Sequence, residues 1–239
     1  MNHFFTAPEL VGDGRVRLVG PEAHHAARVL RMKVGETISV ADGSGRVVDA
    51  VVTKASGEQV DARVILERRR SPAVPALMLW QGVARRERMD LVVQKAVEVG
   101  ARRIEPFVAE RTLARWDEAK RARVVDRWSA IALSAAKQSR SPWLTEVGPI
   151  TEGPPAAPSG LVIVLHEEAE VPFRKALPPA PPAHLVVVVG PEGGLTDEEV
   201  ERLTDGGGVA VTLGERILRT ETAGPVALAL AAYSYGLLG

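Results

Sequence analysis

At 239 residues, with 46% hydrophobic and 25% charged composition, the chain is long enough for one large or two modest domains and too apolar for a disordered one. It has no Cys, which excludes disulfides and thiolate zinc sites and agrees with a reducing cytoplasm. Net charge is zero, yet residues 1–150 hold 25 Lys+Arg against 18 Asp+Glu and residues 151–239 hold 5 against 12, a division of +7 against −7. A basic first part beside an acidic remainder suits a chain that presents one surface to nucleic acid, although arginines spread over solvated faces give the same count.

The opening stretch MNHFFTAPEL has no basic region followed by a long apolar run, so no signal peptide is expected and the reading is cytosolic. Short apolar runs at residues 15–19, 37–41, 47–53 and 60–66, separated by Gly, Asp and Ser, predict a small β domain over residues 1–72. Asp42-Gly43-Ser44-Gly45 is hairpin chemistry between two of them. A helix predicted over residues 23–30 carries His24, His25 and Arg28, with Arg31 just beyond. Such a cluster can grip phosphates, while adjacent histidines serve equally as plain surface residues. Arg46, after the hairpin, is a further basic candidate. Residues 67–75, ERRRSPAVP, read as a linker, and the remainder, residues 73–239, as a second domain.

Beyond the linker the pattern is strand, helix, strand: residues 76–80, 86–99 and 103–108, with Gly100 as a C-cap. That alternation predicts a parallel sheet with helical crossovers, an α/β class. Arg85, Arg86 and Arg88 open the helix, and with acidic residues reckoned absent around them they oppose its dipole, a cost that a ligand phosphate would relieve. A long helix is predicted over residues 117–138, with Trp128, Ile131 and Ala135 on its core face. Residues 151–160 and 177–183 are Pro-rich connections. Between them an apolar strand, residues 161–165, ends at His166-Glu167-Glu168; no second histidine stands at ligand spacing, so no metal is expected.

Two segments near the C-terminus organise the rest. Val186 to Val189 are four β-branched residues, as in a strand covered on both faces, and Gly190-Pro191-Glu192-Gly193-Gly194 follows. Its glycines permit positive φ and a close approach of ligand to bare backbone, and Thr196 with Glu199 is a capping-box spacing that starts a helix behind the loop. Taken alone, the Gly-Gly pair fits an ordinary strand-to-helix turn as well. The second segment repeats the arrangement: Leu213-Gly214 ends a strand, and Arg216, Arg219, Glu221 and Thr222 precede an apolar stretch, residues 223–238, that suits a buried or interfacial helix better than a membrane span. Paired strand ends make a crevice of the kind in which α/β sheets bind ligands. The chain contains neither G-x-x-x-x-G-K-[ST] nor G-x-G-x-x-G, which removes the usual support for NTP hydrolysis or Rossmann dinucleotide binding.

Leu165-His166-Glu167-Glu168, Gly190-Pro191-Glu192-Gly193-Gly194, and Leu213-Gly214 through Ile217-Leu218-Arg219-Thr220-Glu221-Thr222-Ala223 resemble the bacterial small-subunit ribosomal RNA uracil-N3 methyltransferases of the SPOUT class. The resemblance covers most of the chain. It implies a knotted C-terminal SPOUT-type parallel-sheet domain, an N-terminal PUA-like β-barrel, S-adenosylmethionine as cofactor, ribosomal RNA as partner and a homodimer. It places the cofactor against Leu165, His166 and Glu167, the loop Gly190 to Gly194, and Leu213, Gly214, Ile217, Leu218, Thr222 and Ala223. Arg219 and Glu221 become the catalytic candidates, Arg219 for charge developing on uracil and Glu221 as proton acceptor or orienter. RNA contact falls to His25, Arg28, Arg31 and Arg46, to Arg85, Arg86 and Arg88, and to Gln138 and Arg140 in a loop where Lys137 and the register of Arg140 depart from the relatives' pattern. A non-catalytic RNA-binding assembly factor with purely structural glycine loops is the competing reading.

Overall fold

A computed structural model of the chain describes residues 1–113, 116–156 and 159–238, with the side chain of Arg86 also outside the description. It divides into two compact units, Met1–Pro72 with Ala136–Leu144, and Ala73–Ala135 with Thr145–Gly239.

The first unit is a six-stranded sheet in the order β1-β4-β5-β6-β3-β2, made of β1 (Asn2–Phe5), β2 (Val11–Gly12), β3 (Arg15–Val19), β4 (Thr37–Ala41), β5 (Arg46–Ala55) and β6 (Gln59–Arg69). β3 shows the two-residue alternation that half-buried strands require, with Val16 and Leu18 inward and Arg15, Arg17 and Val19 outward. Phe4, Leu18, Ile38, Val48 and Val60 meet in its core. Asp42 closes the predicted hairpin by donating its N–H to the Arg46 carbonyl at 3.1 Å. The first unit differs from the sequence reading in three places. β1 went unread because its four residues have no turn signal around them, and it is held by parallel pairing to β4, from Asn2↔Ile38 to Phe5↔Ala41. The helix starts earlier, as α1 (Gly20–His24), and passes into a π-helical turn, His25–Val29. β6 runs through Arg69 into the expected linker, because its charges find cross-strand partners: Arg46 grips Glu67 at 2.9 Å and Arg68 grips Asp49 at 2.8 Å.

The segment Ala136–Leu144 belongs to this unit through several contacts. The Lys137 ammonium pairs with Glu22 at 2.7 Å, Gly45 N–H donates to the Pro142 carbonyl at 3.0 Å, and Ser44 bridges to Trp143. His3 Nε2 lies 3.1 Å from the Ser141 carbonyl and Nδ1 3.1 Å from Ser39 Oγ. Burial, more than the nearby Arg140, holds the His3 imidazole below the ordinary histidine range.

The second unit is the expected parallel α/β layer. It comprises β7 (Ala76–Gly82), α2 (Arg86–Glu98), β8 (Arg103–Val108), α3 (Glu118–Ser139, whose last turn counts with the first unit), β9 (Glu146–Val147), β10 (Thr151–Glu152), β11 (Leu161–Leu165), α4 (Phe173–Ala176), β12 (His184–Val189), α5 (Asp197–Asp205), β13 (Val209–Val211) and α6 (Thr220–Ser234). The strands run parallel in the order β10-β8-β7-β12-β11-β13, with β9 beside β8. β10 lies in a stretch read as mere connection. β12 is flanked by β7 and β11, and Leu185 to Val189 are all buried, which is why four valines can stand in a row. α6 lays small residues, Ala223, Gly224, Ala227 and Ala231, against the layer; a Cβ on Gly224 would come within 3.1 Å of Leu79 Cδ1. Leu230 and Tyr233 point outward, 43% and 72% exposed. Among the described residues no helix is long and apolar enough to cross a membrane.

Candidate functional site

The sheet order brings the signature segments together. β12, β11 and β13 are parallel neighbours, with Val164 opposite both Val188 and Ala210, so the loops after all three leave from the same edge. His166 N–H donates to the Val211 carbonyl at 3.0 Å, carrying that pairing past the end of β11. Leu165 and His166 are half-buried and Glu167 is exposed.

The loop after β12 is a tight turn, closed by Gly194 N–H on the Pro191 carbonyl at 3.0 Å, with Gly194 at φ +73°. Its inner side has no room: a Cβ on Gly190 would sit 2.8 Å from Gly194 C and Leu195 N, and one on Gly82 would sit 2.6 Å from Pro191. Its outer side is open, since a Cβ on Gly194 would meet nothing nearer than Arg111 Nη1 at 3.8 Å. That guanidinium donates to the carbonyls of Gly193 and Leu195, both at 3.2 Å. Behind the loop the capping box forms as read. Thr196 N–H donates to Glu199 Oε2 at 2.9 Å and Glu199 N–H to Thr196 Oγ1 at 3.3 Å, while Glu199 Oε1 accepts from Glu110 N–H at 3.0 Å.

The loop after β13 turns at Gly214, φ +116°, whose N–H donates to Thr212 Oγ1 at 3.1 Å, with nothing within 4 Å of where a Cβ would stand. Leu213 and Leu218 are half-buried, and Ile217 is 78% exposed, an apolar side chain held over open space. Arg219 is the N-cap of α6, its carbonyl accepting from Thr222 and Ala223 N–H at 2.8 Å each. Thr222 is exposed and Ala223 buried.

The two catalytic candidates differ sharply in surroundings. The Arg219 side chain is 77% exposed and stands 4.0 Å from Glu221, whose own side chain is 12% exposed. Glu221 Oε2 is buried, has no hydrogen-bond partner, and lies 3.8 Å from Arg88 Nε. Arg88 also pairs with Glu192 at 3.4 Å, and Glu192 Oε1 accepts from Arg85 N–H at 2.9 Å. This corrects the reading of an uncompensated cationic helix start. Glu192, more than a hundred residues further along the chain, caps α2 and supplies the missing negative charge, with Glu87 adding to it in the first turn.

The remaining basic candidates fall in two groups. In the first unit Arg28, Arg31, Gln138 and Arg140 are exposed, and Arg31 and Arg140 hold positive φ of 52° and 55°, rare for non-glycine residues. His25 is half-buried with its ring edge-on to Phe4, and Arg46 is committed to Glu67 and to the Val11 carbonyl at 2.7 Å. In the second unit the Arg85 side chain is exposed, and Arg88 is turned onto two carboxylates. Among the described residues no group of three or more His, Asp or Glu is placed to hold a metal ion.

A model of the RNA methyltransferase domain matches residues 70–232, and a model of the RNA methyltransferase PUA domain matches residues 18–65. The chain belongs to the RNA methyltransferase family. Ribosomal RNA small subunit methyltransferase E of Mycobacterium tuberculosis is 37% identical over 94% of this chain and 88% of its own length, and that of Bacillus subtilis 32% identical over 92% and 91%. The crystal structure of the Neisseria gonorrhoeae enzyme of that name, bound to S-adenosyl methionine, matches with a TM-score of 0.87 at 30% identity, covering 98% of each chain. A putative methyltransferase from Legionella pneumophila with the same cofactor matches with a TM-score of 0.85 at 28% identity over 97% of each. The SPOUT-type parallel-sheet domain and the PUA-like domain are therefore those of this methyltransferase family.

Sequence reading missed the groups that hold these loops in place. Arg111 follows the end of β8, where its position just past an apolar strand was the available signal. Gln81 carried none, since a glutamine at a strand end is unremarkable until the fold brings it to Thr220, which stood in the signature segment without an assigned role.

Proposed function

We propose that this chain transfers the methyl group of S-adenosylmethionine to N3 of a uridine in small-subunit ribosomal RNA. The observation that carries the reading is the meeting of three signature loops at one edge of the sheet, with bare backbone at Gly214 facing open space and at Gly194 bordered only by Arg111 Nη1, 3.8 Å from where a Cβ would stand. That surface suits an adenosyl group: main-chain N–H and C=O can read a polar ring edge, and Ile217 and Leu218 offer apolar cover. Leu165, His166 and Glu167, the loop Gly190 to Gly194, Leu213, Gly214, Thr222 and Ala223 complete the proposed cofactor set. When bound, the cofactor supplies a methyl group activated by its sulfonium.

The protein's part is alignment and electrostatics. Arg219, exposed and only loosely paired, is placed to meet negative charge that grows on the uracil oxygens as N3 loses its proton. Glu221, whose buried Oε2 makes no hydrogen bond and lies 3.8 Å from Arg88 Nε, accepts that proton or holds Arg219 in orientation. RNA is held by the basic residues of the first unit, Arg28, Arg31 and Arg140 foremost, with Gln138 beside them, and by Arg85 near the site. The exposed Leu230 and Tyr233 on α6, followed by Leu237 and Leu238, make the face on which a second copy docks. The setting is the cytoplasm, where ribosomal RNA of this kind is made. Nucleoside mass spectrometry of ribosomal RNA from cells with and without the protein tests the reaction; unchanged 3-methyluridine in the small subunit would overturn it.

A further inference from the structure

Gln81 is fully buried at the end of β7, beside Val189. Its Nε2 has three acceptors in reach: Thr220 Oγ1 at 2.8 Å, the Gly82 carbonyl at 3.0 Å and the Gly190 carbonyl at 3.3 Å. Thr220 Oγ1 in turn donates to the Gly190 carbonyl at 2.7 Å. With its own hydrogen spent there, the hydroxyl can only accept from Gln81, and the two Nε2 hydrogens serve Thr220 and the two carbonyls with one of them shared, so the bond directions are consistent. The reverse amide orientation would set Gln81 Oε1 against two carbonyl oxygens. As it stands, Oε1 is buried with no partner, toward the position a Cβ on Gly224 would occupy, 3.5 Å away.

That orphaned acceptor is informative. A buried polar atom without a partner lowers stability, and an unbranched apolar side chain of the same length would fill the space without it. The amide's benefit lies in what its other end joins. Gly190 opens the proposed cofactor loop, and Thr220 stands between Arg219 and Glu221. We propose that Gln81 is a positioning residue for methyl transfer, fixing the cofactor loop to the helix end that carries Arg219 and Glu221. The inference rests on the site assignment of the preceding subsection. In-line transfer tolerates little displacement, and misplacement by about 1 Å is on the order of 10²-fold in rate.

The test uses the full-length protein. Gln81→Met is expected to fold, bind S-adenosylmethionine with near wild-type affinity by calorimetry, and lose about 10²-fold in kcat at saturating cofactor. In the cofactor-free protein, amide exchange at residues 190–195 and 220–222 should quicken together. Gln81→Glu adds a signature that a packing role lacks. A protonated carboxyl can donate to Thr220 or Gly190 and a carboxylate cannot, so its kcat relative to wild type should recover as pH falls, while the Gln81→Met ratio stays flat. If Gln81→Met does not fold, Thr220→Val should show the same kcat loss and Thr220→Ser should restore most of it. Wild-type kcat in Gln81→Met, or a loss wholly explained by weaker cofactor binding, overturns the proposal. Those results alongside a Gly194→Val protein that has lost the cofactor would leave the site assignment standing. Gly194→Val with unchanged affinity would instead remove the assignment and this inference with it.

Discussion

Gly194 separates the demands of folding from those of binding. A side chain there meets no neighbour closer than 3.8 Å, so the folding penalty is confined to the backbone, which holds φ +73°. An alanine in that region costs about 1–2 kcal/mol, and in a chain of this size each kcal/mol lowers Tm by roughly 2–4 °C. Gly194→Ala is thus expected to melt cooperatively, about 2–8 °C below wild type. If the cofactor lies on the bare backbone, the added methyl enters its space, and an overpacked contact of about 1–3 kcal/mol weakens binding roughly 5- to 150-fold. Valine, with two further methyl groups, should abolish measurable binding while leaving a folded protein. Gly190→Ala is the contrasting case: its Cβ would fall 2.8 Å from backbone atoms of Gly194 and Leu195, so the loss should be one of fold. Calorimetry with S-adenosylmethionine beside thermal melts reads both quantities. Wild-type affinity in a folded Gly194→Val protein would refute the assignment of this loop.

Arg219→Ala is expected to lose about 10²–10³-fold in single-turnover rate with cofactor affinity intact; the opposite split would make this segment a cofactor clamp. RNA affinity should fall steeply with salt, and alanine at Arg31 or at Arg140 should each reduce the logarithmic salt slope by about one if each arginine neutralises one phosphate; a flat response would mark them as merely solvated. Light scattering at micromolar concentration should show a dimer, and Tyr233→Glu a monomer; a wild-type monomer would count against the α6 face. His3 is held below its ordinary value of 6.5 by burial, so folding favours its neutral form: its contribution is complete above pH 6.5 and is lost as pH falls through the lower folded value. An NMR titration midpoint for His3 at or above 6.5 would contradict this.

What could be read from the chain was whatever chemistry is local. The strands at residues 15–19, 37–41 and 103–108 follow from β-branched runs between turn residues, and the Thr196–Glu199 box is a spacing of three that either caps a helix or does nothing. The signature loops were legible as turns, because glycines at strand ends mark them, while on the residues alone a plain strand-to-helix turn fitted as well. What could not be read depends on strand order. Glu192 neutralises a helix start 107 residues away, and Gln81 meets Thr220 across 139. Sequence neighbours alone made the start of α2 look uncompensated, when Glu192 supplies negative charge to the Arg85 N–H and to Arg88. β1 shows the same limit at smaller scale, since its pairing with β4 leaves no periodicity in four residues.

The asymmetry between Arg219 and Glu221 bears on how the site works. Were the two a structural ion pair, both would be expected to bury and to meet at hydrogen-bond distance, with the pairing offsetting their desolvation. Instead they stand 4.0 Å apart, and an exposed contact of that length contributes little. Glu221 is enclosed, its Oε2 3.8 Å from Arg88 Nε and without a hydrogen bond, while Arg219 projects into solvent from a backbone locked as the α6 N-cap. Its backbone is therefore set before substrate arrives, and its side chain is not. Among the described residues its one ion-pair contact is Glu221 at 4.0 Å, which leaves a solvated guanidinium able to meet an anion brought from outside the chain. In the proposed reaction that anion is a uracil whose N3 proton has gone to an acceptor such as Glu221; it is absent from the bound ground state and is neutralised as the methyl bonds to N3. A group that engages only then lowers the barrier without tightening the ground state, which is the condition for raising kcat rather than affinity.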